Sequence, residues 1–172
     1  MILRPISLAD LDALVALSRS AFTEAFGHLY AAEDLAAFLD TYRAPDRFAA
    51  MIGDSDTMVL GAHVDGTLAG YCTVQFGQGF DERPEPRPHR PAMLGQLYCS
   101  GEATGKGIGA AMLERAIDAS RERGCDALQL SVYSENFGAQ RFYQRYGFRH
   151  VADIDFWVGN HRDDEFLYER AL

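Results

Sequence analysis

The sequence predicts an α/β fold, a mixed β-sheet with helices packed on its faces. Three observations carry that prediction. A strand, a helix and a second strand follow one another between residues 92 and 133, the order that makes parallel neighbours joined by a right-handed crossover. Asp65-Gly66 lies between two strand-like runs, a two-residue hairpin signal, and two further strands close the chain, so antiparallel flanks are expected on both sides. The length of 172 residues, 48% of them hydrophobic, suits one domain spanning 1–172 with a single core.

Taken in order, residues 2–4 read as a short strand. Ser7 with Asp10 three residues on has the pattern of a capping box, and Leu8, Leu11, Leu14, Val15, Leu17 and Phe22 carry a helix towards Phe26, with Gly27 as its end. Residues 32–42 are helical, with Leu35, Phe38 and Leu39 on one side, and Pro45 opens a short helix through Met51. The period then changes to two, and 57–64 and 67–76 are strands. Residues 77–91 hold Pro84, Pro86, Pro88 and Pro91 beside Arg83, Arg87 and Arg90, and read as an extended, mobile surface loop. Next come a strand at 92–100, a helix at 107–124, a strand at 127–133 that alternates Leu128, Leu130 and Val132 with Gln129 and Ser131, and a short helix at 136–146. Strands at 148–158 and 165–171 close the sheet around a polar turn at 159–164.

Composition narrows the function. A net charge of −9 argues against general nucleic-acid binding, which needs basic patches, and is compatible with a cationic substrate. No stretch approaches the ~20 apolar residues of a membrane span, and MILRPISLAD lacks an apolar signal core. Cys72, Cys99 and Cys125 are three, so they cannot all pair, and they have no metal-ligand spacing. They read as reduced thiols of a cytoplasmic protein with no metal.

Two motifs carry chemistry. The first is CSGEATGKGIGAAML at 99–113, which nearly spells a P-loop. Counting back from Gly105-Lys106, the first glycine of that motif falls on Ser100, and its magnesium-binding hydroxyl falls on Gly107, so the nucleotide-hydrolase reading fails on spacing. What remains is a turn with alternating Gly105, Gly107 and Gly109, feeding a helix whose apolar face is Ile108, Met112, Leu113, Ala116 and Ile117. Such a turn is suited to cradle a phosphate; a ligand-free strand–helix connection would look the same. The second motif is NFGAQRFYQRYGF at 136–148. Asn136, Ala139 and Tyr143 fall at i, i+3 and i+7 and share one helical face, an arrangement that suits an elongated ligand and equally suits core packing.

Together these motifs, read as LYCSGEATGKGIGAAML at 97–113 and NFGAQRFYQRYGF, resemble the GNAT superfamily of acyl-CoA N-acyltransferases. The register is kept without insertion, but Cys99 stands for the family's valine, Gly101 for its proline and Thr104 for the usual Arg or Gln. The resemblance implies a centrally splayed sheet with helices on both faces and acetyl-CoA as cofactor. The pyrophosphate would lie on the amides of Gly105, Lys106, Gly107, Ile108 and Gly109, with Lys106 adding charge. The substitution at Thr104 leaves those amides more of the binding. The pantetheine arm would run along the strand through Leu97, Tyr98 and Cys99, with main-chain bonds from Leu97 and Cys99 and a bond from Asn136 opposite. Tyr143 would serve as general acid to the leaving thiolate, and an amide of 97–99 would polarise the carbonyl.

Attack requires a neutral amine, and a primary amine of pKa about 10.4 is neutral about once in a thousand near pH 7.4. Many relatives use a carboxylate on the strand entering the site, where this chain has Gln96; Glu24, His28 or a water chain are the candidates left as base. FTEAFGHLYAAEDLAAF at 22–38, with Glu24, His28 and Tyr30, and the C-terminal DFWVGNHRDDEFLYERAL are similar to the PaiA-type polyamine acetyltransferases. That points to a polyamine or other small-molecule amine, held by carboxylates and aromatic faces. A protein or peptide α-amine is the rival acceptor, and a non-catalytic acyl-CoA-binding module the rival class. A homodimer is expected on the resemblance alone.

Overall fold

The computed structural model describes residues 1–172. Its strands are β1 (Ile2–Pro5), β2 (Thr57–Val64), β3 (Thr67–Phe76), β4 (Pro91–Cys99), β5 (Ala127–Tyr133), β6 (Arg149–Val158) and β7 (His161–Ala171). The helices are α1 (Leu11–Phe26), α2 (Ala32–Tyr42), α3 (Pro45–Gly53), α4 (Ile108–Glu122) and α5 (Phe137–Arg145). All seven strands form one mixed sheet in the order β1-β2-β3-β4-β5-β7-β6, as the strand–helix–strand unit and the flanking hairpins predict. Only β4 and β5 run parallel, joined through α4.

Helices cover both faces. The face of α4 formed by Met112, Leu113 and Ala116 is fully buried against Cys72, Val74 and Leu128 of the sheet. On the opposite face Leu14 and Leu17 of α1 and Phe48 of α3 pack with Val59 and Tyr71. A third cluster, Phe22, Phe38, Leu39 and Val158, ties α1 and α2 to β6. No helix is long and apolar enough to cross a membrane.

Gly27 ends α1 as expected; its φ of −56° is helical, and the chain continues as a 3-10 turn through Leu29. A Cβ there would crowd Thr23 Cγ2 at 3.2 Å. Two local expectations are corrected. The polar turn expected at 159–164 shrinks to Gly159-Asn160, since 161–164 pair with 155–158 and Arg162 bridges Asp155 and Asp164. The 77–91 segment is irregular but anchored. Arg83 makes a bidentate pair with Glu169 at 2.8 and 2.9 Å, Gln129 Oε1 accepts from the Phe80 amide, and Asp126 accepts from the amides of His89 and Arg90.

The β6–β7 tip is held over the sheet by α2. Asp34, in the first turn of α2, accepts the Asn160 amide through Oδ1 at 2.8 Å. Asp34→Ala should therefore lower stability by about 1 kcal/mol, a typical loss for one hydrogen bond to a charged, partly exposed group. Urea unfolding of the two proteins checks this, and an unchanged midpoint would show that the tip is held by packing alone.

Candidate active site

The glycine turn is open where an anion would approach. Gly105 and Gly107 have φ of +79° and +78°, left-handed values that side chains rarely adopt. Gly107 is the N-cap residue of α4. The amides of Gly105, Gly107, Ile108, Gly109 and Ala110 bond no backbone carbonyl, and a helix start leaves such groups positively polarised. A Cβ built on Gly105 or Gly107 meets nothing within 4 Å. These features fit a phosphate-bearing group. Ile108 contributes only its amide, because its side chain is buried in the core. Thr104 Oγ1 donates to the Ser100 carbonyl at 3.2 Å, closing its own turn, and Lys106 is exposed beside it.

Upstream of the turn the sheet comes apart. β4 pairs with β5 only at Pro91, Ala92 and Met93, while β5 goes on to pair with β7 along its whole length. Gly95 is an extra residue in β4: Thr73 pairs with Gln96 and Val74 with Leu94, leaving it unmatched. A bulge of this kind bends and twists its strand away from a neighbour. Backbone groups alternate sides along a strand, and the Ser100 amide bonds Ala69 on β3. The main-chain groups of Leu97 and Cys99 therefore face the gap. A cleft of about 750 Å³ fills it, lined by Leu97, Tyr98, Cys99, Thr104, Asn136 and Tyr143 on this side.

α5 closes the gap from the other side. Asn136 Oδ1 caps the helix by accepting the Ala139 amide at 3.1 Å, which leaves the side-chain NH2 as a donor to the cleft. Tyr143 packs its ring on Phe142 and Phe148, and its hydroxyl makes no hydrogen bond within the chain. Burial pushes that phenol well above its ordinary value, so it holds its proton at neutral pH.

The remaining half of the cleft lies between α1, α2 and strands β5 to β7. Tyr30 is there, its hydroxyl donating to Asp163 at 2.5 Å. Glu24 and His28 are not: both are exposed and line no part of the cleft, Glu24 near the C-terminal end of α1 with Oε2 towards Gly101 and His28 in the 3-10 turn that follows. Gln96 is 7% exposed, and its Oε1 accepts the Tyr71 hydroxyl at 2.6 Å, so it is a structural link.

Two residues that the sequence reading passed over stand in this half. Glu165 on β7 lines the cleft, and its Oε2 is buried with no hydrogen-bond partner. Burial pushes its pKa up to about 7, with the Ser131 hydroxyl pulling down and the Asp163 charge pushing further up. Asp163 itself, 4% exposed, is occupied by Tyr30 and by His161 at 3.1 Å. Arg43, the residue that follows α2, is 7% exposed and lines the same cleft. The signals were present. Glu165 shares one strand face with the buried Asp163 and Leu167, and Arg43 stands at i+8 and i+4 from Leu35 and Leu39 on the apolar side of its helix.

A parted mixed sheet, an anion cradle at a helix start and a protonated tyrosine across the gap define an acyl-CoA-dependent transferase. Residues 12–148 match the acetyltransferase (GNAT) family, and the chain belongs to it, an acetyl-CoA-dependent N-acetyltransferase. It is 28% identical over 167 residues to an uncharacterized N-acetyltransferase from the pepI 3′ region of Lactobacillus delbrueckii subsp. lactis, covering 97% of this chain and 95% of that one. The spermine/spermidine N(1)-acetyltransferase of Bacillus subtilis (strain 168) is 31% identical over 98 residues, 56% of this chain and 62% of that one. The PaiA N-acetyltransferase of Thermoplasma acidophilum, solved in complex with coenzyme A, superposes with a TM-score of 0.80 at 23% identity, over 99% of this chain and 98% of that one.

Two outcomes are expected. Gly107→Val places a branched side chain at positive φ in the open cradle, so acetyl-CoA affinity should fall by about tenfold or more, with the helical far-UV signal retained. Calorimetric titration with acetyl-CoA reads it, and unchanged affinity would move the cradle elsewhere. The second concerns pH. With a folded pKa of about 7 against an ordinary 4.5, the folded chain carries an extra proton between those values, so Glu165 destabilises the fold as pH rises through that window. Glu165→Gln lacks this loss and should be more stable than wild type by on the order of 2–3 kcal/mol at pH 8, with the difference vanishing near pH 4. Parallel melting curves at all pH values would show that Glu165 titrates normally.

Proposed function

We propose that the chain acetylates the primary amine of a small molecule by direct attack, with Glu165 as general base and Tyr143 as general acid. The observation that carries this reading is one cleft lined by both groups, each with a polar atom unbonded within the chain. Acetyl-CoA, when bound, supplies the acetyl thioester that the amine attacks.

The amides of Gly105 to Gly109 would hold the pyrophosphate, and the main chain of Leu97 and Cys99, with the Asn136 side chain, would orient the arm along the gap. Glu165 takes a proton from the incoming ammonium at its unbonded Oε2, and its raised pKa makes it a base matched to neutral pH. An amide of the 97–99 segment polarises the carbonyl. Tyr143 keeps its phenolic proton until a departing sulfur needs one. The apolar walls of Phe22, Phe26 and Phe156 exclude water from the exchange.

Within the small amines, a polyamine acceptor draws support from two things: the carboxylates Asp155 and Glu165 on the cleft wall, and the similarity to the spermine/spermidine enzyme over part of the chain. An amine that also bears an acid is a second reading, favoured by Arg43 and developed below. A protein or peptide α-amine is the rival acceptor, and the N-terminal peptide in the panel below tests it.

The test is release of coenzyme A from acetyl-CoA with spermidine, spermine, putrescine, lysine, an aminoglycoside and an N-terminal peptide. Tyr143→Phe and Glu165→Gln should each lower turnover by about 10²–10³-fold, with acetyl-CoA affinity within twofold of wild type. In the wild type, kcat/KM should rise with pH through about 7 as Glu165 ionises, and Glu165→Gln should lose that limb. Normal turnover in either variant would remove that residue from the mechanism.

A further inference from the structure

Arg43 is a buried cation without a counter-ion. Its guanidinium sits among the rings of Phe22, Phe38 and Tyr98, with centroids at 5.5, 5.4 and 5.8 Å. No carboxylate lies within ion-pairing distance of it, although the half-buried Arg83 elsewhere in the fold is matched bidentately by Glu169. Arg43 Nε is buried and unbonded, and the contact from Nη1 to the Tyr42 carbonyl is long at 3.4 Å. A guanidinium carries five N–H donors in a flat fork. Ring faces and a hydrogen bond to the Tyr98 hydroxyl balance part of its charge, but they leave Nε unsatisfied in a setting where desolvation is costly.

The position is as informative as the environment. Arg43 belongs to the lining of the acceptor half of the cleft, the same cavity that Glu165 enters from β7. Tyr98 senses both: beyond the upward push of burial, the charge of Arg43 and its hydrogen bond to the hydroxyl pull the phenol down, and Glu165 pushes it up. One cleft thus presents an unpaired cation and an unpaired carboxylate, with aromatic walls between α2 and β6 from Phe38 and Phe156. A linear polyamine would set a second ammonium towards an uncompensated like charge. A molecule with an amine at one end and an acid at the other would satisfy both.

We infer that the acceptor is an amine that also carries an oxyanion, a carboxylate or a phosphate, and that Arg43 binds this group while Glu165 receives the amine. This rests on the acyl-transfer reading above. The planar fork of an arginine matches two oxygens of either oxyanion, and a pair formed inside an apolar wall is little screened by solvent.

Sets of alkyl amines with three to six carbons, ending in methyl, ammonium, carboxylate or phosphate, test the inference against full-length protein. Two quantities are read: kcat/KM for coenzyme A release, and calorimetric binding of each amine in the presence of coenzyme A. The oxyanion-ended members should exceed their methyl- and ammonium-ended partners by about tenfold or more, and the carboxylate and phosphate arms tell which acid is preferred. Arg43→Met should bring that preference, read as the ratio of oxyanion-ended to methyl-ended amines, to within about twofold of none; Arg43→Lys should retain part of it.

A purely structural arginine would lower the rates of all four sets alike. Ammonium-ended amines matching or outrunning the acids in the wild type would overturn the inference, as would a preference that survives Arg43→Met. The wild-type ranking decides even if Arg43→Met does not fold. If no amine turns over while oxyanion-ended amines still bind best, the catalytic reading fails and the role of Arg43 stands.

Discussion

The parting of β4 from β5 is the constraint on which the rest depends. Three paired residues hold the strands together, and then the bulge at Gly95 and the pairing of β5 with β7 draw them apart. The break leaves main-chain groups of Leu97 and Cys99 facing a cleft with apolar walls. Backbone polar groups without partners are costly, on the order of 1–3 kcal/mol each when buried. Such a gap is stable as a place for a strand-like ligand that completes the bonds. The open amides of the glycine turn continue the same logic one step along the chain, where the donors are polarised by α4. The position of α5 follows too, since Asn136 and Tyr143 are carried by the one helix that crosses the gap.

The chemistry of the acceptor half is a redistribution of charge. At the position where the resemblance leads to a carboxylate on β4, Gln96 is locked by Tyr71, whose hydroxyl lies 2.8 Å from Ser18 Oγ. That trio links the sheet to α1 and cannot take a proton at neutral pH. Glu165 reaches the cleft from β7, two strands away in the sheet order. Its neighbour Asp163 explains why Glu165 and not Asp163 is free: Tyr30 and His161 occupy the aspartate, and its charge helps hold the Glu165 proton.

How much of this was legible depends on range. The strand order followed from local periods and turn residues, because a parallel crossover and flanking hairpins leave few arrangements. The glycine turn and the Asn136–Tyr143 face were legible because short spacing fixes their geometry. Glu165 and Arg43 were not found, although each shares a face with buried residues. Placing either in the cleft requires knowing that β7 lies beside β5 and that α2 ends over Tyr98, and both are long-range facts. Glu24 and His28 show the converse. They sit in the segment that packs at the site, but both are exposed and outside the cleft lining, while Phe22 and Phe26 belong to it. The turn at 159–164 was misread because a polar run on a strand whose exposed positions pair by charge looks like a loop.

Arg43 and Glu165 have opposite charges and line one cleft, yet they form no ion pair. Stability alone would favour joining them or replacing both with apolar side chains, since each buried ionic group costs free energy that an unpaired partner does not return. An overall charge of −9 does not account for it either, because an excess of acid makes a bare buried arginine easier to neutralise. Keeping the two groups apart, each with one unbonded polar atom, makes sense when a third body is to lie between them. The same separation restricts that body. It needs an amine at the β7 end, an acid at the α2 end and an apolar stretch against the rings, so the two charges of the cleft specify the two ends of the acceptor we infer.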